Sequence, residues 1–168
     1  GALQQMISQT QWNELDYLIV DMPPGTGDIQ LTMTQKVNIN AAVIVTTPQE
    51  IALLDAQKGI EMFNKMKVPV AGIIENMSLH ICSNCQHEDD IFGSDGGQKL
   101  ATEYKTTLLG KLPIDRSIRE DVDLGKPTVY ADKKSAVSQK YIQIAESLIN
   151  TMAALSKPQS VNISFDDQ

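Results

Sequence analysis

The sequence predicts an α/β protein built on a parallel, doubly wound sheet with flanking helices. Three observations predict it. Runs of apolar and β-branched residues at 17–21, 41–46, 70–75 and 108–112 read as short buried strands. Segments with helical spacing lie between them, and strands alternating with helices imply parallel pairing through crossovers. The first run, Tyr17 to Val20, ends on Asp21 and leads directly into Pro23, Pro24, Gly25, Thr26 and Gly27. Open α/β sheets place their ligands beyond the carboxyl ends of such strands.

Composition narrows the function classes. A chain of 168 residues suits one domain, and 42% hydrophobic residues suffice for a core. The net charge of −7 argues against nucleic acid as a partner, because phosphate backbones are bound by excess cations. No apolar run reaches the ~18 residues that a membrane span needs, and the start has neither the basic region nor the apolar core of a signal peptide. A basic amphipathic membrane anchor is not expected either, since residues 156–168 supply only Lys157. The expectation is a cytoplasmic protein whose two cysteines serve as ligands or thiols rather than as a disulfide.

Taken in order, residues 2–10 read as the end of a helix. Strand 17–21 is followed by a helix near 28–36, for which Asp28 is a candidate cap. After strand 41–46, Thr47, Pro48 and Glu50 suggest an N-cap, a first helical position and a capping box. Ile51, Leu54, Ile60, Phe63 and Met66 form an apolar stripe through residue 66. Strand 70–75 precedes a loop at 76–94 that holds both cysteines and both histidines. A helix at 95–105, strand 108–112, a helix at 117–124 stopped by Gly125 and Pro127, and a long helix at 135–155 complete the chain. The polar residues 156–168 are expected to be a disordered tail.

The segment Asp21-Met22-Pro23-Pro24-Gly25-Thr26-Gly27-Asp28 carries the first chemistry. A carboxylate after a hydrophobic strand, with a rigid turn behind it, suits indirect coordination of Mg²⁺ on a nucleotide. This string resembles the Walker B and switch II segment of the Mrp/ApbC family, iron–sulfur carrying P-loop ATPases of the MinD/ParA (SIMIBI-type) group. The resemblance implies that Asp21 holds the Mg²⁺ shell and is the catalytic residue. It also implies that the turn containing Gly25, Thr26 and Gly27 senses the γ-phosphate of ATP.

The second constellation is His80-Ile81-Cys82-Ser83-Asn84-Cys85-Gln86-His87. A Cys-x-x-Cys pair presents two thiolates to one metal but leaves a tetrahedral site or four-iron cluster short of ligands. Spacing alone leaves open a zinc site that adds His80 and His87, a redox dithiol, a site shared between two chains, and an idle pair of thiols. The wider pattern resembles the same family: Glu75-Asn76-Met77-Ser78, then Cys82-x-x-Cys85, then Ile91-Phe92-Gly93. That resemblance implies that Cys82 and Cys85 bind a [4Fe–4S] cluster bridging a homodimer, and that iron–sulfur scaffolds and recipient apoproteins are the partners. It leaves the histidines to the loop's structure. The alternative function is a zinc-binding or partner-binding module without catalysis.

Two further positions follow from the resemblance. Asn76, after the third strand, corresponds to a residue that contacts adenine, and Leu112-Pro113-Ile114-Asp115 resembles the loop closing over the base, with Pro113 as its contact. Their plainer readings are a strand-end turn and a helix N-cap at Asp115. Lys58 reads as a solvated helix face. No Gly-x-x-x-x-Gly-Lys-Ser/Thr phosphate loop occurs, and Gly96-Gly97-Gln98-Lys99 has neither its spacing nor its hydroxyl. Residues 1–155 are therefore expected to be the carboxyl-terminal part of a P-loop ATPase domain, inactive alone. The strand carrying the phosphate loop would lie between 17–21 and 41–46, so a displaced arrangement of residues 1–30 is expected.

Overall fold

The computed structural model describes residues 5–7, 9–23, 25, 27–82, 84–85 and 87–155. Three strands form the central sheet: β1 (Ala42–Thr46), β2 (Val70–Glu75) and β5 (Leu108–Lys111). They are parallel, in the order β1-β2-β5, with Ile44 opposite Ile73 and Ile73 opposite Leu108. Two short antiparallel strands, β3 (His80–Ile81) and β4 (Glu88–Asp89), make a separate hairpin.

Both sheet faces are covered. On one, Ile44 and Ile73 pack with Ala56 and Ile60 of α2 (Glu50–Lys65) and with Leu100 and Ala101 of α3 (Gly96–Glu103). On the other, Leu109 and Leu112 pack against Ile144 of α6 (Ala136–Leu155), with Val43, Ile74, Tyr141 and Leu148 around them. Alternation along each strand sends successive side chains to opposite layers, as Val43 and Ile44 show. The register shifts at β5, where Ile73 faces Leu108 but Ile74 faces Gly110. A Cβ on Gly110 would stand 2.5 Å from Ile144 Cγ1, so glycine is what lets α6 seat against this irregularity.

Three expectations are corrected. Residues 17–21 form no strand, and their side chains face solvent, Ile19 being 85% exposed. A strand exists only through a neighbour's hydrogen bonds, and among the described residues none pairs with this segment. The start of α2 also differs. Gln49, not Thr47, is its N-cap, and Pro48 lies outside the helix. The Thr47 hydroxyl donates to Gln49 Oε1 at 2.8 Å instead of capping, while the Gln49 carbonyl accepts from Ala52 and Leu53. The buried stripe of α2 runs through Leu53, Ala56, Ile60 and Phe63, leaving Ile51 73% and Leu54 51% exposed.

The remaining helices lie close to expectation. α1 (Asp28–Lys36) buries Gln30 and Met33. α4 (Arg116–Asp123) is capped by Asp115, whose carboxylate accepts from Ser117 N at 2.7 Å, and Gly125 ends it at φ +69°. A short α5 (Thr128–Ala131), absent from the sequence reading, is tied to α6 by the Ser138 hydroxyl, which donates to the Thr128 carbonyl at 3.0 Å. The expected tail at 156–168 lies outside the described residues. Among the described residues, no helix is long and apolar enough to cross a membrane.

Candidate functional site

The carboxyl ends of β2 and β5 and the segments leaving them are laced together. Leu112 N donates to the Glu75 carbonyl, Ser78 donates from both N and Oγ to the Leu112 carbonyl, and Ile114 N donates to the Leu79 carbonyl. Asn76, expected to contact a bound base, and Pro113, expected in the loop closing over it, thus belong to one assembly at the carboxyl end of the sheet. Asn76 N donates to the Thr46 carbonyl at 2.7 Å, and its Oδ1 accepts from Met77 N at 2.9 Å. The side-chain NH₂ of this half-buried residue is left as the donor. Pro113 is buried.

This assembly leads into the cysteine hairpin, where the sequence suggested only a loop. His80 pairs with Asp89, Ile81 with Glu88, and His80 also bridges to Ile114. Cys82 N donates to the His87 carbonyl at 2.9 Å, so the Cys-x-x-Cys sits at the hairpin tip. Both cysteines are free; Cys82 is half-buried and Cys85 exposed. The backbone N–H of Cys85, then that of Asn84, then the Cys85 side chain hold the Cys82 thiol below its ordinary value. Amides aimed at a sulfur favour the thiolate, the form that binds metal. The cramped zinc cage is not assembled: among the described residues no three His, Cys, Asp or Glu side chains are placed to hold an ion. His80 Nδ1 is buried without a partner.

Asp21 does not stand at a strand end. It is exposed and lies in irregular chain. Gly25 has φ +96°, which suits glycine, and Gly27 is the N-cap of α1. The buried Gln30 donates from Nε2 to the Pro23 carbonyl at 2.6 Å and holds this turn against α1. Thr26 lies outside the described residues.

Sequence reasoning missed a charged cluster at the base of the hairpin. Glu75 is fully buried (0% exposed). Its Oε2 accepts from Gly97 N at 2.5 Å, and Lys111 Nζ stands 3.4 Å from Oε1 while donating to Asp95 Oδ1 at 2.7 Å. The signal available was a lone glutamate closing the apolar run Val70-Ala71-Gly72-Ile73-Ile74, opposite a lysine closing the next strand.

A family profile described as "ParA: NUBPL iron-transfer P-loop NTPase" matches residues 1–149. The chain belongs to this family. As a member of the NUBPL-type group it is 57% identical over 145 residues to an iron-sulfur cluster carrier protein of Pseudomonas fragi, covering 86% of this chain and 50% of that protein. It is 47% identical over 152 residues to the mouse iron-sulfur cluster transfer protein NUBPL, covering 90% and 48%. The chain thus spans between 39% and 51% of the length of the curated relatives it matches. A nucleotide-binding protein from Archaeoglobus fulgidus, solved in complex with ADP, superposes with a TM-score of 0.68 at 40% identity, covering 75% of this chain and 52% of that one. The cell-division ATPase MinD of Pyrococcus furiosus, at 21% identity and a TM-score of 0.66, shares the fold, with 88% of this chain and 57% of that one covered. The fold of this NUBPL-type chain is accordingly that of the P-loop NTPases, a parallel sheet with flanking helices.

Proposed function

We propose that this chain is the carboxyl-terminal part of an ATP-dependent iron–sulfur cluster carrier, and that Cys82 and Cys85 hold the cluster as cargo. One observation carries the reading: the two sulfurs share the tip of a hairpin whose own amides favour the Cys82 thiolate. Two thiolates leave half of a four-iron cluster unligated. A second copy of the hairpin supplies the missing pair, so the cargo is a [4Fe–4S] cluster bridging a homodimer. Delivery is to recipient apoproteins after loading from an iron–sulfur scaffold. The names of the relatives, iron-sulfur cluster carrier and transfer proteins, support this cargo.

The residues present fit a nucleotide on the base side. Asn76 offers a side-chain amide next to the Pro113 turn, and the Archaeoglobus relative binds ADP. Asp21, Gly25, Thr26 and Gly27 are the segment that would hold Mg²⁺ and read the γ-phosphate. ATP hydrolysis belongs to a protein that also contains a phosphate loop, a motif this sequence lacks. The cell compartment proposed is the cytoplasm.

Anaerobic reconstitution with iron and sulfide tests the proposal. The expected product holds about four irons and four sulfides per dimer, and Cys82→Ala or Cys85→Ala abolishes it while the circular dichroism spectrum is kept. Zinc as the sole bound metal, or full iron–sulfur absorbance in the double variant, would overturn it in favour of a non-catalytic zinc or partner module.

A further inference from the structure

The 21 residues between Glu75 and Gly97 form a loop that carries the cysteine hairpin. Its two ends meet through one buried side chain: Glu75 Oε2 accepts the Gly97 N–H, at the first turn of α3. The fit is close. A Cβ on Gly97 would lie 3.0 Å from Glu75 Cβ and 3.1 Å from Oε2, and one on Gly96 would lie 2.8 Å from Leu53 Cδ1 and 3.0 Å from the Pro48 carbonyl oxygen. The other carboxylate oxygen is buried with no hydrogen-bond partner, and the ammonium of Lys111 stands 3.4 Å away. Lys111 also holds Asp95, two residues before Gly97. A buried carboxylate is costly unless hydrogen-bonded and paired, so these contacts stand or fall together. Residues 75 and 111 lie one and two positions before Asn76 and Pro113. The same carboxylate therefore joins the two roots of the cysteine loop and reaches the last residue of β5.

We propose that Glu75 is a positioning residue for the cysteine pair. With Lys111 it latches the base of the 76–96 loop to the ends of β2 and β5, and so fixes where the hairpin tip stands relative to the sheet. The functional half of this inference rests on the reading of Cys82 and Cys85 as cluster ligands; the latch itself does not.

Hydrogen exchange on the metal-free full chain separates a latch from general stabilisation. Glu75→Gln keeps the shape and one acceptor for Gly97 but loses the charge that faces Lys111. Lys111→Met loses the cation and keeps the stem, and Lys111→Arg keeps the cation. In the first two variants, exchange at the Gly97, Cys82 and Ile114 amides is expected to speed up about tenfold or more, while Ile73, in the sheet, keeps its protection. Lys111→Arg restores the wild-type pattern. A uniform change across loop and sheet, or none, overturns the proposal. Should Glu75→Gln fail to fold, Lys111→Met against Lys111→Arg gives the same comparison. After reconstitution, Lys111→Met is expected to release iron to a chelator faster than wild type and Lys111→Arg is not; equal rates overturn the functional half. If no cluster forms in any chain, the cargo reading fails while the exchange data still decide the latch.

Discussion

Lys111 Nζ donates to Asp95 Oδ1 at 2.7 Å, tying the last residue of β5 to the residue that starts α3. The bond, and then the charge of Lys111, hold the Asp95 carboxyl below its ordinary value. The same bond raises Lys111 against the opposing effect of its burial. The lowered carboxylate contributes stability that is present above its unfolded value near 4 and lost as pH falls through the folded one. The raised ammonium contributes stability that is present below its unfolded value near 10.4 and lost as pH rises through the folded one. Asp95→Asn should therefore be less stable than wild type across the neutral range, with the gap closing toward both acid and alkaline ends. Urea midpoints for the two proteins across pH would show it; a gap independent of pH would deny the pair any role.

Cys82 is expected to alkylate at pH values where an ordinary thiol is protonated and inert, because the Cys85 and Asn84 amides favour its thiolate. The largest cause is the Cys85 backbone N–H, not its sulfur. Cys85→Ala should then keep most of the effect, whereas Cys85→Pro, which lacks that N–H, should push the Cys82 profile up toward the value of a free thiol. The measurement is the pH dependence of the iodoacetamide rate at Cys82. Equal profiles for the alanine and proline variants would refute the assignment to the amide.

Three glycines should respond in three ways to alanine. At Gly72 a Cβ would sit 2.6 Å from the Thr107 carbonyl oxygen, which already accepts from Ile73 N and cannot withdraw. A loss of about 1–3 kcal/mol or more is expected there. At Gly110 the obstacle is the Ile144 side chain, 2.5 Å away, so Ile144→Ala should relieve much of the cost of Gly110→Ala in a double-mutant cycle. At Gly59, inside α2, the nearest atom is Ile44 Cδ1 at 3.8 Å. Alanine there should stabilise by about 0.5–1 kcal/mol through helix propensity alone. Thermal unfolding ranks the three.

What could be read from the residues depended on whether the physics was local. The strands at 42–46, 70–75 and 108–111 lie where their apolar runs placed them, since each is buried by neighbours present in the chain. Residues 17–21 have the same kind of run and form no strand, because pairing is not a property of the run. The cap at Asp115 was legible because its partner, Ser117, is two residues away. The capping box at Thr47 was misread because Gln49 competes for the hydroxyl. Of the candidate site, Asn76, Pro113 and the cysteine pair stand together at the sheet's carboxyl end and the hairpin that grows from it, whereas Asp21 lies in irregular chain and ends no strand. Glu75 escaped notice because its partners, Gly97 and Lys111, come from distant segments that only the folded sheet brings together.

The outer edge of β1 carries the last prediction. Among the described residues no strand pairs with it. Val45 is 60% exposed, while Val43, two residues before it, packs beside Ile144 of α6. An open edge beside an exposed apolar side chain is a template for pairing with another chain, and a charge on such an edge suppresses the pairing. Metal-free Cys82→Ala/Cys85→Ala protein, which cannot associate through its thiols, should still show concentration-dependent self-association in sedimentation velocity. Val45→Lys in that background should shift it toward monomer without loss of helical signal. If the distribution with lysine matches that without it, the edge of β1 is not where the chains meet, and the exposed apolar residues at 17–20 become the surface to vary next.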